Sequence, residues 1–354
     1  MSRKAWVRAL LAPVLAVPIA AQDPSAEPIA AALACDRAGS TELAARGRTA
    51  LAGGDPVMAA TLFHRALEAC PSERGLRMEI SRALTAQRRF GEGVAAAEEY
   101  LRDEPESVPG LLTLANALFM AQRWEECRPL IERVLKADPD NAAALLLKGN
   151  NEYLLDNSGE AENALIHLLD KNPGDVDAAY TLGRIYYMEN RAEYAMAQFQ
   201  RVLKLDQTHY RAWDNLALCY DALGDTEMAI RHFLTAIKLV ERDHPDYHWP
   251  YANLADLLLR QNRFEEAYQA ATQAAKRNPY SARNFFLGGK ALTKLGREAD
   301  AVKWLERSAQ LDPDYPDSLY ALGQLYMKLG EKERAATVLK QFRTAKAKAP
   351  KKRR

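Results

Sequence analysis

The chain has 354 residues, 48% hydrophobic and 27% charged, with 48 Lys+Arg against 47 Asp+Glu and four cysteines. That much apolar side chain can bury a large core, which excludes wholesale disorder. A formal charge of +1 argues against a protein that coats nucleic acid, and four cysteines in so long a chain exclude a disulfide scaffold.

In chain order, residues 1–21 come first. Arg3, Lys4 and Arg8 precede Ala9–Ala21, which is apolar throughout, and the polar Gln22-Asp23-Pro24 follows. A basic start, a short apolar run and small residues before a polar stretch are the layout of a signal peptide. Pro13 and Pro18 interrupt the run and it is short for a membrane span, so a permanent anchor is disfavoured. Cleavage near Ala20 or Ala21 is expected, giving an exported chain, periplasmic or secreted. Ala32-Leu33-Ala34-Cys35 loosely resembles a lipid-attachment box, but Gln22–Pro28 separates it from the apolar run. That reading is set aside.

A period then takes over. Pro71, Pro105, Pro139 and Pro173 are 34 apart, Pro279 and Pro313 are 34 apart again, and a single insertion of four residues at 244–247 reconciles the two sets. Small residues keep the frame twelve positions before each phase-marking proline or its equivalent: Ala59, Gly93, Cys127, Ala161, Ala195, Ala229, Ala267, Ala301 and Ala335. Each unit has two stretches of helical apolar spacing around a break, and proline ends the second, because it lacks an N–H and disfavours helix in the residue before it. No such hairpin can bury its apolar face alone, so neighbours must stack.

Trp213-x2-Leu216-Ala217-x2-Tyr220 followed by Ala229-x3-Phe233 resembles a tetratricopeptide repeat, as do Leu182-Gly183-x2-Tyr186 with Ala195-x3-Phe199, and Leu322-Gly323-x2-Tyr326 with Ala335. The resemblance implies an all-α fold, a right-handed α-solenoid of helix-turn-helix units. The expected organisation is a signal peptide (1–21), an N-terminal cap helix (22–39), repeats one to six (40–243), the insertion (244–247), repeats seven to nine (248–349) and a basic tail (350–354). The second unit lacks aromatics at its signature positions and is expected to be the loosest hairpin. Pro129 is expected to kink the second helix of the third unit or delay its start. At the far end Val338, Leu339 and Phe342 are expected to stay partly exposed.

The search for chemistry finds no nucleophile elbow, phosphate loop, His-Glu-x-x-His or Cys-x-x-Cys. No catalytic, cofactor-binding or metal-binding residues are expected, and the chain is not expected to be an enzyme. His244-Pro245-Asp246-Tyr247-His248 is the densest ligand-like cluster, but the proline spoils a simple helical pairing and a longer turn is the better reading. Cys35 and Cys70 are the pair to consider for a disulfide, since export permits one; their separation in space is not readable from sequence. Cys127 and Cys219 are expected as buried apolar groups.

The resemblance further implies that the first helices of the units line a concave groove. The positions that face it give a peptide-binding candidate set: Leu112, Asn116, Phe119, Met120, Asn150, Tyr153, Tyr180, Arg184, Tyr187 and Met188. They read as an exposed aromatic and Met-rich band with amides for backbone contacts. An acidic stretch (Asp177, Asp214, Asp221, Asp256) and then a basic one (Arg260, Arg283, Lys290, Lys294, Lys328) follow it. The carboxylate clamp of some family members is absent: Asn215 and Asn253 occupy its central place, but Tyr180/Arg184 and Asp214/Leu218 precede them and Trp249/Asn253 and Arg283/Leu287 follow.

The reading is therefore a peptide- or protein-binding scaffold or assembly factor of a bacterial cell envelope. Two alternatives stand beside it: a self-associating structural protein, stacking as a homo-oligomer through its C-terminal end, and an accessory factor for exopolysaccharide synthesis or secretion. The seven basic residues of Arg343–Arg354 could touch an anionic envelope polymer, though a solvated, disordered end is the commoner outcome for such a tail. No nucleic acid partner is expected.

Overall fold

The computed structural model describes residues 35–348. The expected leader, most of the expected cap and residues 349–354 lie outside the described residues. The chain divides into two compact units that meet between Leu182 and Gly183.

Unit 1 contains α1 (Arg37–Ala52), α2 (Pro56–Ala69), α3 (Leu76–Ala86), α4 (Phe90–Asp103), α5 (Val108–Met120), α6 (Trp124–Ala137), α7 (Ala142–Leu154) and α8 (Ser158–Lys171). The unit boundary falls within α9 (Val176–Met188). Unit 2 continues with α10 (Ala192–Leu205), α11 (Tyr210–Ala222), α12 (Thr226–Asp243), α13 (Trp249–Arg260), α14 (Phe264–Arg277), α15 (Ala282–Lys294), α16 (Glu298–Leu311), α17 (Pro316–Lys328) and α18 (Lys332–Lys348). The described residues are all-α, and two helices fall in each 34-residue window. Among them no helix is long and apolar enough to cross a membrane.

The prolines stop helices as their chemistry dictates. Helices α2, α4, α6, α8, α14 and α16 each end two residues before one: Pro71, Pro105, Pro139, Pro173, Pro279 and Pro313. Starts are held by side chains that accept a free backbone N–H, for example Asp55 from Met58 at 2.9 Å and Asn141 from Ala144 at 3.0 Å. The turn inside each hairpin holds one residue in the left-handed region: Gly54, Arg88, Gln122, Asp156, Asn190, Gly224, Asn262, Gly296 and Gly330. These recur every 34 residues except across the insertion, and they reverse the chain at the end of each first helix.

Small-on-large contacts hold each hairpin closed. A Cβ added at Gly47 would lie 2.6 Å from the Phe63 ring, and one at Gly149 would lie 2.5 Å from Leu165. Both partners are sixteen residues on, as are Phe199 over Gly183 and Leu305 over Gly289. Phe63, Phe199 and Phe233 are fully buried, each contributing roughly 2–3 kcal/mol of apolar burial. First helices of neighbouring hairpins also pack directly on one another: α3 on α5 and α5 on α7 in unit 1, α11 on α13, α13 on α15 and α15 on α17 in unit 2.

Several expectations need correction. The cap helix does not run to residue 39: Cys35 and Asp36 are non-helical, Asp36 caps α1, and residues 37–39 belong to α1. Residues 244–247 do lie in a turn, but most of the added length goes to the helix before it: the linker after α12 has five residues against four after α10, while α12 has 18 residues where α10 and α14 have 14, with Ala236 and Val240 on its buried face. Pro129 does not delay α6, which starts at Trp124 and runs through it. The second hairpin compensates for its missing aromatics with a buried hydrogen bond, Ser81 Oγ donating to the Gly93 carbonyl at 2.6 Å. The start of the basic tail is ordered: α18 runs to Lys348, whose ammonium pairs with Asp314 at 3.1 Å. As expected, Val338, Leu339 and Phe342 stay partly exposed.

Candidate functional site

Unit 1 holds most of the sequence-derived groove set, and burial sorts it. Phe119, Tyr153 and Tyr180 are buried, Tyr153 to 1% exposure. Leu112, Met120 and Asn150 are half-buried, and Asn116 is exposed. These aromatic members therefore do not form an exposed band. Phe119 joins Leu114, Leu118 and Leu147 in one apolar cluster, with Met120 packed against it. Asn150 spends its amide locally, donating to the Leu146 carbonyl at 3.1 Å and accepting from Thr181 at 3.3 Å. The surface left to a partner by this set is Asn116 with the edges of Leu112 and Met120.

The same region holds an ion pair on a buried carboxylate that sequence reading did not single out. Arg128 on α6 grips Glu152 on α7 through two hydrogen bonds of 3.0 Å, and Asn157 donates to the same carboxylate at 2.8 Å. Burial pushes the Glu152 carboxyl up, but these hydrogen bonds outweigh it and the group sits below its usual range. Nearby, an open cleft of about 270 Å³ is lined by Leu135, Leu145, Lys148 and His167. Its ionisable side chains are occupied: Lys148 pairs with Glu160, while His167 reaches Asp140, which Lys171 also pairs with.

Unit 2 holds the other three members of the set. Arg184 is buried, and Tyr187 and Met188 are half-buried. Burial pushes the Tyr187 phenol up to about 12. The acidic and basic stretches expected beyond them are not separate zones. Arg260 on α13 binds Asp221 on α11 through both carboxylate oxygens, at 3.0 and 2.6 Å. One turn pair earlier on the same helices, Asn253 donates to Asp214 at 2.9 Å. Arg283 on α15 donates to the Asn253 side-chain Oδ1 at 3.0 Å and stands 3.9 Å from Asp256. Lys328 pairs with Glu298 at 2.9 Å.

Asp214 is buried, and desolvation raises its carboxyl to about 7 against the opposing pull of Asn253, Arg283 and Tyr247. Tyr247 comes from the linker between α12 and α13, where the His244 ring lies 4.1 Å from the Tyr210 ring in a tilted contact. His248 is buried against Trp249, and burial lowers its imidazole to about 4. The two histidines of this linker thus occupy different environments. Among the described residues no group of three or more His, Cys, Asp or Glu side chains is placed to hold a metal ion.

At the start of unit 1, Cys35 and Cys70 are joined by a disulfide, with Cα atoms 4.3 Å apart. Asp36 N–H donates to the Ala69 carbonyl beside it, so the entry to α1 is tied to the end of α2. Cys127 and Cys219 are buried thiols, and burial pushes both up to about 12.

Stacked hairpins whose first helices touch along a row define an α-solenoid repeat scaffold, a fold that is in general a non-catalytic platform for protein interactions. The chain belongs to the tetratricopeptide repeat family. Family models described as tetratricopeptide repeat match residues 44–109, 84–150, 156–216, 209–279 and 317–345, and one described as TPR repeat matches 289–330. Among curated proteins it is similar to the tetratricopeptide repeat-containing protein trd-1 of Caenorhabditis elegans, 26% identical over 36% of this chain and 16% of that protein. It is also similar to Superkiller protein 3 of Schizosaccharomyces pombe, 25% identical over 51% of this chain and 13% of that protein. The chain thus spans a small fraction of the length of these relatives. Among solved structures, a tetratricopeptide repeat protein from Parabacteroides merdae superposes with a TM-score of 0.55 at 16% identity, covering 72% of this chain and 99% of that one. That likeness concerns the fold.

Proposed function

We propose that this protein is a non-enzymatic scaffold or assembly factor exported to a bacterial cell envelope, where the first-helix rows of its hairpins hold protein or peptide partners. Family membership supports the interaction role. Export is supported by the leader-like residues 1–21 and by the Cys35–Cys70 disulfide, a bond that persists in oxidising compartments and is rare where thiols are kept reduced. The disulfide carries the envelope reading, because it is independent of the leader.

Two measurements test it. The full chain fused to a reporter active only outside the cytoplasm should give signal that deleting residues 1–21 abolishes; equal signal without them would sink export. Crosslinking in an envelope fraction should recover partners that Asn116→Lys/Met120→Glu loses while circular dichroism is unchanged. An identical partner list from both proteins removes the unit 1 row from the binding surface.

A further inference from the structure

The first helices of unit 2 pack on one another from α11 to α17, and no further first helix follows α17 among the described residues. Leu259 on α13 is 6% exposed, whereas Met327, at the same place two repeats later on α17, is 50% exposed. Tyr320, seven residues before Met327 and so on the same stripe of the helix, is exposed as well. Helix α18 packs antiparallel to α17 and extends this face. Leu339 lies against Gly323, and the half-buried Phe342 ring is 5.2 Å from the Tyr320 ring.

The charge beside these apolar groups is of one sign. Lys332, Leu339, Arg343 and Lys346 follow one another at helical intervals, so the three cations share a stripe of α18 with Leu339. All three are exposed and have no ion-pair partner among the described residues. The Lys346 ammonium stands 5.6 Å from the centre of the Phe342 ring. The hairpin leaves two acids unpaired, Asp317 at the start of α17 and Glu333 off that stripe of α18. After Glu333 the chain carries no acid, and Lys351, Lys352, Arg353 and Arg354 add to the positive charge.

That pairing of apolar and cationic groups selects the partner. A second copy offers no complement: α1 exposes Arg37, Arg46 and Arg48 against Glu42, and no apolar side chain larger than alanine. Two C-terminal faces set together would oppose like charges. A hydrated polyanion would satisfy the cations and leave Tyr320 and Met327 in water. An anionic lipid surface meets both needs, with phosphates for the cations and an acyl boundary for the ring and the thioether.

We infer that the α17–α18 face is a docking surface for an anionic membrane. Tyr320 and Met327 sit at the headgroup boundary, and Arg343, Lys346 and the cations of residues 351–354 lie on the phosphates. The contact is peripheral and stands apart from peptide binding.

The test sediments the full chain with phosphatidylcholine vesicles that contain or lack phosphatidylglycerol. Residues 1–21 are common to every variant, so differences between variants report the C-terminal hairpin. Wild type should partition about a hundredfold better onto the vesicles with phosphatidylglycerol, and high salt should erase the preference. Arg343→Gln/Lys346→Gln should lose about fivefold for each charge. Tyr320→Ser/Met327→Ser should weaken binding several-fold and keep the salt dependence. All four side chains are exposed, so circular dichroism should not change. Deleting residues 350–354 removes charge without touching α18 and should lower the preference too.

Equal partitioning onto the two kinds of vesicle, or variants that bind like wild type, overturns the proposal. A preference that soluble dextran sulfate abolishes, and that Tyr320→Ser/Met327→Ser leaves intact, overturns it in favour of a polyanion. A dimer in sedimentation equilibrium that this double variant dissociates, without any vesicle preference, overturns it in favour of a second copy.

Discussion

Asn253 reaches Asp214, and Arg260 reaches Asp221, across the same separation of 39 residues. Two pairs in equal register, seven residues apart on each helix, mean that α11 and α13 run parallel and stay aligned despite the extra turn in α12. The outer pair is half-exposed on its Arg260 side. Replacing Arg260 or Asp221 by Ala should each destabilise unit 2 by about 1 kcal/mol, with a coupling of similar size in a double-mutant cycle measured by urea unfolding.

The two buried titratable groups of the α11–α13 region should oppose one another with pH. The Asp214 carboxyl is raised to about 7, so the stability it favours is full below its unfolded value and is lost as pH rises toward 7. The His248 imidazole is lowered to about 4, so its contribution is full above its unfolded value and is lost as pH falls toward 4. Between roughly pH 4 and 6.5 these slopes have opposite sign. Relative to wild type, Asp214→Asn should lose stability on acidification in this window by about 1 kcal/mol per pH unit, and His248→Gln should gain it. Unfolding midpoints collected across the window decide; parallel curves for all three proteins contradict the assignment.

Left-handed turn residues give a separate handle on stability. Arg88 and Gln122 hold positive φ with exposed side chains, where a Cβ costs about 1 kcal/mol. Arg88→Gly and Gln122→Gly should therefore each stabilise unit 1 by about that amount, read as a higher urea midpoint.

Helical glycines should split into two groups. Gly47→Ala must displace the Phe63 ring and should cost about 1–3 kcal/mol. Gly159→Ala meets open space on α8 and should gain about 0.5–1 kcal/mol. The comparison checks the hairpin contact while holding the chemical change constant.

What was legible in the sequence was whatever depends on position along the chain. The prolines mark helix ends because they act on the residues next to them, and the Gly and Ala frame marks closure because each small residue meets a partner sixteen positions on. Depth was not legible. The family's groove positions state a direction, and Phe119 does pack against Leu147 of the next first helix, but it and Tyr153 are buried rather than left at the surface. Charge pairing was hidden too. Asp221 and Arg260 read as separate acidic and basic zones, since their meeting depends on where four extra residues are absorbed. Residues 244–247 do form the turn, but the matching length is taken up by one more turn of α12 before them, which keeps Val240 on the buried face. Arg88 and Gln122 escaped notice at the turns because neither is a residue that favours left-handed backbone.

The disulfide closes a loop of sequence separation 35, which in the chain-entropy account is worth about 3–4 kcal/mol. Reducing the protein, or making Cys35→Ser, should lower the unfolding midpoint of the first hairpin while leaving unit 2 unchanged. Hydrogen exchange of α1 and α2 against α15 measures this directly, and equal protection before and after reduction would contradict it.

The crosslink also has a chemical corollary. A neutral cysteine sulfur forms one bond beyond its own β-carbon, so a sulfur bonded to Cys70 has no valence left for a thioether to a diacylglycerol. Cys35 can be a staple or a lipid carrier, and the two forms differ by several hundred daltons of attached mass. In the folded chain the staple occupies it, which removes Cys35 as a site of lipid attachment.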